Sequence, residues 1–333
     1  MCRTAQPAIR ITGNADIWKL SHKNMQIYTT GKLLTEGDKN RILQLSVRGL
    51  TDIRRQRMMT ALNDKTSENA WECSDSDAWN RAWDMLRIEE ETPLQYTDIH
   101  NHTLFGVDDG PKHIEESIQM LHAAYEQGIR RMILTPHYRH GMFPYIKETI
   151  EHNFAELKKQ TAAEKIGIQL YLGCEYHVDS DMMEHIETGR VHTLADTEYV
   201  LTEYSHSSSF TDMKRCTHEL IACGYQPVIA HIERYECIAK KPQLAEELSG
   251  MGALIQINAD STLGIDGRYL EKVCRKLLKL HLADIIASDA HGIRERMNHM
   301  DACYHHVCKK YGADYAAELF DKNPIQITIS GDN

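Results

Sequence analysis

From residue 95 onward, short apolar runs alternate with longer segments in which apolar residues recur every three or four positions. Short apolar runs are typical of buried strands, and the longer period is typical of amphipathic helices. Strands are predicted at residues 96–100, 131–135, 168–173, 199–203, 227–231, 253–258 and 283–288. Helices are predicted at residues 114–127, 145–163, 211–223, 243–251, 269–280 and 298–311. This alternation favours an α/β fold whose parallel sheet, with helices outside, closes or nearly closes into a barrel.

The first part of the chain lacks this alternation. Residues 39–55 are polar with only a weak apolar period, and residues 63–79 have a composition typical of a loop or linker. A short helix is predicted at residues 76–91, ending before Pro93. We therefore expect an N-terminal extension at residues 1–94 and a larger domain at residues 95–333.

Composition limits the possible partners and compartments. The chain has 333 residues and a formal net charge of -10, which argues against a nucleic-acid partner because duplex-binding proteins usually present a basic face. Its nine cysteines include no CxxC pair, so reduced thiols are expected rather than disulfides or a zinc knuckle. No signal-peptide core and no long apolar run occur, so we expect a cytoplasmic protein without membrane insertion.

Metal-capable side chains follow nearly every predicted strand. They occur in DIHNH at 98–102, TPH at 135–137, GCE at 173–175, LTE at 201–203, IAH at 229–231 and SDAH at 288–291. The carboxyl ends of parallel strands meet at one edge of a sheet, so these side chains should converge. One histidine at a strand end is usually an ordinary hydrogen-bonded residue, but six such ends together favour a metal centre.

The donor types narrow the metal and the reaction. A mixture of imidazoles and carboxylates suits manganese, iron or zinc better than calcium or copper(I). Cys174 directly precedes Glu175 and should face the other side of its strand. The candidate donors are too many for one ion, so two or three divalent ions with shared carboxylates are expected. Such clusters acidify bound water and stabilise phosphoryl transfer, which indicates phosphoester hydrolysis.

These segments resemble a known superfamily. DIHNH, GVDDGP at 106–111, TPH, HIERY at 231–235 and SDAH, in this order, resemble the PHP (polymerase and histidinol phosphatase) proteins. GVDDGP and HIERY resemble its CpsB/CapC branch, the manganese-dependent protein-tyrosine phosphatases of bacterial capsule and exopolysaccharide operons. The likeness runs from about residue 95 to about residue 324. It implies a distorted (β/α)7 barrel, similar to a TIM barrel, as a PHP catalytic domain at residues 95–333.

The resemblance also implies residue roles. His100, His102, Glu175 and Asp289 would hold one ion, Glu175, Glu203 and His231 a second, and Asp109, His137 and His291 a third. Glu175 would bridge ions, and a hydroxide between ions would be the nucleophile. Arg139 and Arg296 resemble phosphate-binding arginines and, with His137 and Asp289, form the expected catalytic set. Met297 and Asn298 stand where the family often has prolines. Asp108 is expected to be structural, and His177 fits either a polar loop or the lining of the cleft.

The implied activity is hydrolysis of phosphotyrosine on a protein, such as a membrane-associated bacterial tyrosine autokinase. Manganese is the first choice of metal, with iron or zinc also fitting. The sequence leaves open whether the protein forms an oligomer. One alternative is a small-molecule phosphatase such as histidinol-phosphate phosphatase, and others are a silent kinase-binding scaffold or a nuclease. A cysteine-based mechanism is excluded because no cysteine has an arginine six positions later.

The extension carries a fainter resemblance. Residues 28–33 and 49–54 resemble the opening of a dual-specificity-type phosphatase fold, but the part that would carry its nucleophile is missing. We interpret residues 1–94 as a non-catalytic α+β appendage, a remnant of such a fold.

Overall fold

A computed structural model of the protein describes residues 95–329 and two short strands before them, β1 (Tyr28–Thr29) and β2 (Lys32–Leu33). The chain divides into two units, Met1–Thr92 and Pro93–Asn333, and each is described by itself. In the first unit β1 and β2 pair antiparallel. They lie in the segment 28–33, whereas the segment 49–54 and the features predicted at 39–55, 63–79 and 76–91 fall outside the described residues.

The second unit alternates strands and helices. Its strands are β3 (Tyr96–Asp98), β4 (Ile129–Leu134), β5 (His137–Tyr138), β6 (Gln169–Leu172), β7 (Glu175–His177), β8 (Tyr199–Glu203), β9 (Gln226–Ile229), β10 (Leu254–Asn258) and β11 (Ile285–Ala287). Its α-helices are α1 (Ile114–Glu126), α2 (Lys147–Ala163), α3 (Met182–Glu187), α4 (Phe210–Ala222), α5 (Glu236–Lys240), α6 (Leu244–Met251), α7 (Ala259–Leu263), α8 (Arg268–Lys279), α9 (Met300–Tyr311), α10 (Ala313–Ala317) and α11 (Asn323–Ile329). Two 3₁₀ turns (Leu194–Asp196 and Ile232–Arg234) and a π-helical turn (Glu318–Lys322) complete it.

The strands of this unit pair in parallel and form a curled sheet. Six strands follow the order β11-β10-β9-β8-β7-β5, and three follow the order β3-β4-β6. Strand β5 continues β4 after two residues, and β7 continues β6 in the same way. The two groups of strands are therefore continuous with each other. The α/β class with a parallel sheet and helices is thereby confirmed.

The ends of the first and last strands of the sheet also meet. Asn101 forms a parallel bridge with Ala290, and the Asp289 N–H donates to the His100 carbonyl at 2.8 Å. Ser288 donates its hydroxyl to the Asp98 carboxylate at 2.6 Å. The segments DIHNH and SDAH are therefore neighbours.

Two interruptions in the strands position residues of the candidate site. Pro136, in the gap between β4 and β5, has no N–H to donate to a neighbouring strand. At Gly173, between β6 and β7, an added Cβ would lie 3.0 Å from Leu194 and 3.1 Å from Ile133, so the close packing there leaves little room for a side chain. The strands resume with His137 opposite Glu175 in register.

The interior of the curled sheet is apolar below the candidate site. Leu201 and Ala287 are fully buried, and each lies two positions before a site carboxylate, Glu203 or Asp289. Residues two apart on a strand share a face, so the Glu203 carboxylate stands on this apolar layer, and Asp289 follows directly after the end of β11. Outside the sheet, helices bury one face each. Helix α8, for example, buries Leu277, which contributes about 1.5–3 kcal/mol. Among residues 95–329, no helix combines the length and apolar character needed to cross a bilayer.

Candidate metal centre

Nine side chains converge at the carboxyl-terminal edge of the curled sheet. They are the nine that the sequence and the resemblance predicted: His100, His102, Asp109, His137, Glu175, Glu203, His231, Asp289 and His291. Their donor atoms form four overlapping groups, each within 4.8 Å: His102, Asp109, His137 and His291; His100, His231 and Asp289; His100, His102 and Glu175; His137, Glu175 and Glu203. The structure thus brings all nine into one cluster, and their division among individual ions stays a prediction.

Glu175 lies at the middle of this cluster, 1% exposed. Its Oε1 is 2.9 Å from His231 Nε2 and 3.2 Å from His100 Nε2. Its Oε2 is 2.9 Å from His137 Nδ1 and 3.2 Å from His102 Nε2. Burial alone would raise the pKa of Glu175, but the adjacent His100 and His137 hold it well below its usual range. Because each oxygen faces two imidazoles, the carboxylate suits a bridging position.

The cluster opens to solvent at Asp109. The Asp109 side chain is 45% exposed, with Oδ1 3.4 Å from His291 Nε2 and 3.6 Å from His137 Nε2. At the other side Glu203, on β8, lies 3.9 Å from His231 Nε2. Burial and the neighbouring Glu175 raise the pKa of Glu203 to about 7. The donors therefore run from a buried interior to an accessible mouth.

Outer hydrogen bonds decide which nitrogen of each ring can bind an ion. The Nδ1 of His102 donates to Asp108 Oδ2 at 2.7 Å, and the Nδ1 of His291 donates to the Asp289 carbonyl at 2.9 Å. A carbonyl oxygen only accepts, so His291 Nδ1 carries the proton. Burial lowers the pKa of His102, but Asp108 and Glu175 outweigh it and raise that pKa to about 10. When an ion displaces a proton from His102, Nε2 is therefore the nitrogen that releases it.

An amide fixes the orientation of His100 by the same logic. The main-chain N–H of His231 donates to Gln256 Oε1 at 2.8 Å, and that oxygen also lies 3.1 Å from His100 Nδ1. Since this N–H can only donate, the Gln256 atom is the oxygen and His100 Nδ1 must carry a proton. The Gln256 amide nitrogen donates in turn to Asn258 Oδ1 at 2.8 Å. His100 is thus set to offer Nε2 to an ion.

Neighbouring side chains contact both carboxylate oxygens of Asp289. Its Oδ1 lies 3.6 Å from the Nε2 atoms of His100 and His102, while its Oδ2 accepts from Asn258 at 2.7 Å and pairs with Arg234 at 3.1 Å. Burial would raise the pKa of Asp289, but His100 and Arg234 hold it far below its usual range. Asp289 also adopts a left-handed φ of 52°, a conformation that costs energy in most residues but is tolerated best by Asn and Asp.

Several buried polar atoms in the cluster make no well-aligned hydrogen bond to a described residue, although those of His100, His102 and His137 lie within 3.2 Å of a Glu175 oxygen. They are Nε2 of His100, His102 and His291, Nδ1 of His137 and Oε2 of Glu203. A buried polar atom left unpaired costs roughly 1–3 kcal/mol, so a protein rarely keeps several in one place. Divalent ions would satisfy these atoms, and the mixed nitrogen and oxygen set fits such ions.

Two arginines border the mouth. Arg296, 43% exposed, places its guanidinium 3.0 Å from Asp289 Oδ1 and 3.6 Å from Asp109 Oδ2. Arg139 is half-buried after β5, where its N–H donates to the Phe143 carbonyl at 3.0 Å. The Phe143 ring stacks on His137, with ring centroids 5.0 Å apart, so this turn lies beside the cluster. Arg296 therefore contacts the cluster directly, and Arg139 lies two residues beyond His137.

Several contributing residues were not foreseen. Gln256 and Asn258 end β10, the one long strand without a metal-capable group at its end, and their two-residue spacing is the signal that could have found them. Arg234 lies inside the HIERY segment but received no role. Asp108, expected to be structural, holds His102 and also accepts the His137 N–H at 3.1 Å. His177 lies on β7, two residues beyond Glu175, rather than in a loop.

A curled parallel sheet that carries buried imidazoles and carboxylates at its carboxyl edge, with arginines at the mouth, defines the class of α/β metal-dependent hydrolases. The family model for capsular polysaccharide synthesis, CpsB/CapC, matches residues 96–329. The chain belongs to this CpsB/CapC family, which confirms the resemblance seen in its motifs.

Characterised relatives show the same likeness. The tyrosine-protein phosphatase CpsB of Streptococcus pneumoniae is 35% identical over 237 residues, covering 70% of this chain and 98% of that protein. The tyrosine-protein phosphatase YwqE of Bacillus subtilis is 31% identical over 217 residues, covering 65% and 85%. A crystal structure from work on YwqE and CpsB, described as metal-dependent tyrosine phosphatases, matches with a TM-score of 0.67 at 30% identity, covering 70% of this chain and 94% of that chain.

Proposed function

We propose that the protein is a metal-dependent protein-tyrosine phosphatase that hydrolyses phosphotyrosine on proteins. The observation that carries the proposal is the convergence of nine imidazole and carboxylate side chains beside two arginines at an open mouth. The names of the relatives support phosphotyrosine over a small molecule such as histidinol phosphate.

The nine donors would hold two or three divalent ions, manganese before iron or zinc. The four donor groups share His100, His102, His137 and Glu175, which supports ions close enough to have ligands in common. Bound divalent ions would supply Lewis acidity, lowering the pKa of water and neutralising charge on the phosphoryl oxygens.

The protein's own side chains would position the phosphoryl group. Arg139 and Arg296 can each present a planar guanidinium to two phosphate oxygens. Arg296 now pairs with Asp109 at 3.6 Å across a solvent-exposed gap, a contact that a phosphate oxygen could replace at low cost. Asp108 keeps a proton on His102 Nδ1, so Nε2 stays directed at the cluster.

The finer architecture belongs to the same proposal. Taking β4 with β5 and β6 with β7 as single strands leaves seven, and the Asn101–Ala290 bridge would close them into a distorted (β/α)7 barrel similar to a TIM barrel. Residues 95–333 would form the PHP catalytic domain. Residues 1–94 would be a non-catalytic α+β extension, a remnant of a dual-specificity-type phosphatase fold.

The physiological setting follows from the family's description as capsular polysaccharide synthesis proteins. We propose that the substrate is a membrane-associated bacterial tyrosine kinase that controls capsule or exopolysaccharide production. The phosphatase would meet the phosphorylated kinase in the cytoplasm.

Activity measurements on the full chain test the proposal. With manganese, the protein should hydrolyse a phosphotyrosine peptide much faster than histidinol phosphate, and a chelator should abolish turnover. His137→Ala should reduce kcat to background, whereas the matched control His305→Ala, 67% exposed on α9, should leave it unchanged. Undiminished turnover after full metal removal, or a preference for histidinol phosphate, would reject the proposal.

A further inference from the structure

A groove of about 460 Å³ adjoins the metal centre on the Glu203 side. Its inner end is formed by His177 and Ser205, each two residues beyond a candidate ligand: His177 follows Glu175 on β7, and Ser205 follows Glu203 at the end of β8. The two are joined by a contact of 3.2 Å between His177 Nε2 and Ser205 Oγ. The groove therefore begins where the strands that carry the cluster leave it.

The floor of the groove is apolar and its rim is acidic. Met182 and Cys216 are buried in the floor, and Asp179, Asp212 and Glu219 supply carboxylates around it. Arg215 is the one arginine or lysine among the lining residues, and it donates to Glu219 at 3.0 Å, which neutralises that pair. Asp179 and Asp212 form no ion pair with any residue in the described part of the chain. The open groove thus carries two carboxylates that form no ion pair with a described residue.

Asp179 is held in a fixed orientation by a buried chain of hydrogen bonds. An arginine side chain is only a donor, so Arg190 donates to His185 Nε2 at 3.1 Å. That nitrogen accepts, and the proton of His185 therefore lies on Nδ1. That Nδ1 donates to the Tyr176 hydroxyl at 2.8 Å, and Tyr176 in turn donates to Asp179 Oδ1 at 2.8 Å. The main-chain N–H of Asp181 also donates to Oδ1, at 3.0 Å.

Among residues 95–329, the groups that hydrogen-bond to Asp179 are neutral: the Tyr176 and Tyr138 hydroxyls and the Asp181 N–H. A carboxylate that neutral donors hold in place beside a groove, with no ion-pair partner in the described residues, is preorganised to receive a cation. Asp212 is arranged in a similar way, because Ser209 donates to its Oδ2 at 2.7 Å.

We propose that this groove binds the peptide residues next to the phosphotyrosine and selects a lysine or arginine side chain there, paired with Asp179 and Asp212. The inference rests on the proposed function and adds a substrate preference to it. An extended peptide advances about 3.3 Å per residue, so residues close to a phosphotyrosine at the cluster reach the groove. A negatively charged or neutral side chain would gain no such pairing.

Phosphotyrosine peptides of matched sequence test this preference. Lysine, alanine or glutamate is placed at the positions flanking the phosphotyrosine, on either side, and kcat/KM is measured with the manganese-loaded full chain at low ionic strength. The lysine peptide should exceed the alanine peptide by roughly two- to fivefold for each rim carboxylate that it meets, and the advantage should shrink with added salt.

Variants assign the preference to the groove. Asp179→Asn and Asp212→Asn keep an oxygen for Tyr176 and Ser209 while removing the charge, so each should lower the lysine-to-alanine ratio of kcat/KM, and the double variant should bring it to about one. Asp314→Asn, exposed on α10 and outside the groove, is the matched control and should keep the wild-type ratio.

Three results would overturn the inference. Equal kcat/KM for the lysine and alanine peptides in the wild type would reject the groove preference alone, leaving the phosphatase activity intact. A wild-type ratio that persists in the double variant would place the preference elsewhere. Absence of turnover of every peptide and of p-nitrophenyl phosphate would reject the proposed function, and the groove inference with it.

Discussion

Replacing Asp108 with Asn would leave its side chain no orientation free of conflict. Both carboxylate oxygens of Asp108 accept main-chain N–H groups: Oδ1 from Gly110 at 2.9 Å and Oδ2 from His137 at 3.1 Å. Oδ2 also accepts from His102 Nδ1 at 2.7 Å. Whichever way an Asn amide is turned, its NH₂ group faces a main-chain N–H, so a donor meets a donor.

The size of the effect follows from these contacts. With NH₂ at the Oδ2 position, His102 Nδ1 can bond only as an acceptor, which moves the ring proton to Nε2 and removes the lone pair an ion needs. Loss of such a partner behind a metal-ligating histidine typically costs 10- to 100-fold in metal affinity or activity, or about 1.4–2.7 kcal/mol. The other orientation instead leaves a buried donor unpaired near Gly110, costing roughly 1–3 kcal/mol of stability.

Calorimetry of manganese binding to the metal-free chain, together with kcat/KM on p-nitrophenyl phosphate, measures this effect. Asp108→Asn should weaken the tightest manganese site at least tenfold, or lower the unfolding temperature clearly if the second orientation wins. Glu164→Gln changes a solvent-exposed carboxylate–histidine pair with His122 and should alter neither quantity. Manganese affinity and kcat/KM within twofold of wild type, together with an unchanged unfolding temperature, would refute the reasoning.

Three further expectations follow. Arg234→Met removes one of the two partners of Asp289 Oδ2 and should weaken manganese binding roughly tenfold in a titration, with Arg234→Lys between Met and the wild type; equal affinities would show that Asn258 and Arg296 hold the carboxylate without it. Manganese binding at pH 7 should release protons, because the pKa of His102 is raised to about 10 and the metal-free ring is protonated below that value. Affinity should therefore rise with pH, by up to about tenfold per unit for each proton displaced, and a binding enthalpy independent of buffer ionisation would contradict this. Chelation should lower the unfolding temperature, since free manganese at ~100 times Kd stabilises the folded state by about 2.7 kcal/mol; identical melting curves with and without manganese would count against a metal centre.

Much of the fold was predictable because the spacing of apolar residues along the chain distinguishes strands from helices. The strand at residues 199–203 was predicted with the observed bounds, and helix α8 is displaced by one residue from its predicted position at 269–280. The short strands β5 and β7 were missed because Pro136 and Gly173 look like strand ends. The helices after residue 311 were not predicted for another reason. The π-helical turn at Glu318–Lys322 breaks the helical period on which prediction from a sequence pattern relies.

The candidate site divides in a similar way. Candidate metal donors such as His100 and Asp289 stand at strand ends, where the sequence alone identifies them. Gln256 and Arg234 act by contacting those residues, and their partners depend on which strands become neighbours. Arg234 and Asp289 are far apart along the chain, and nothing in either segment names the other. A glutamine is also found in every environment, so its presence alone indicates nothing about a role.

The meeting of β3 with β11 has a consequence for biosynthesis. Ser288 bonds to Asp98, which precedes it by 190 positions, so the first and last donors of the cluster leave the ribosome at different times. At about 5–20 residues per second, the nascent chain exposes His100 and His102 for roughly 10–40 s before Asp289 emerges. Asp289 and His291 are the last of the nine candidate donors to emerge, so the complete donor set exists only after most of the unit has been translated.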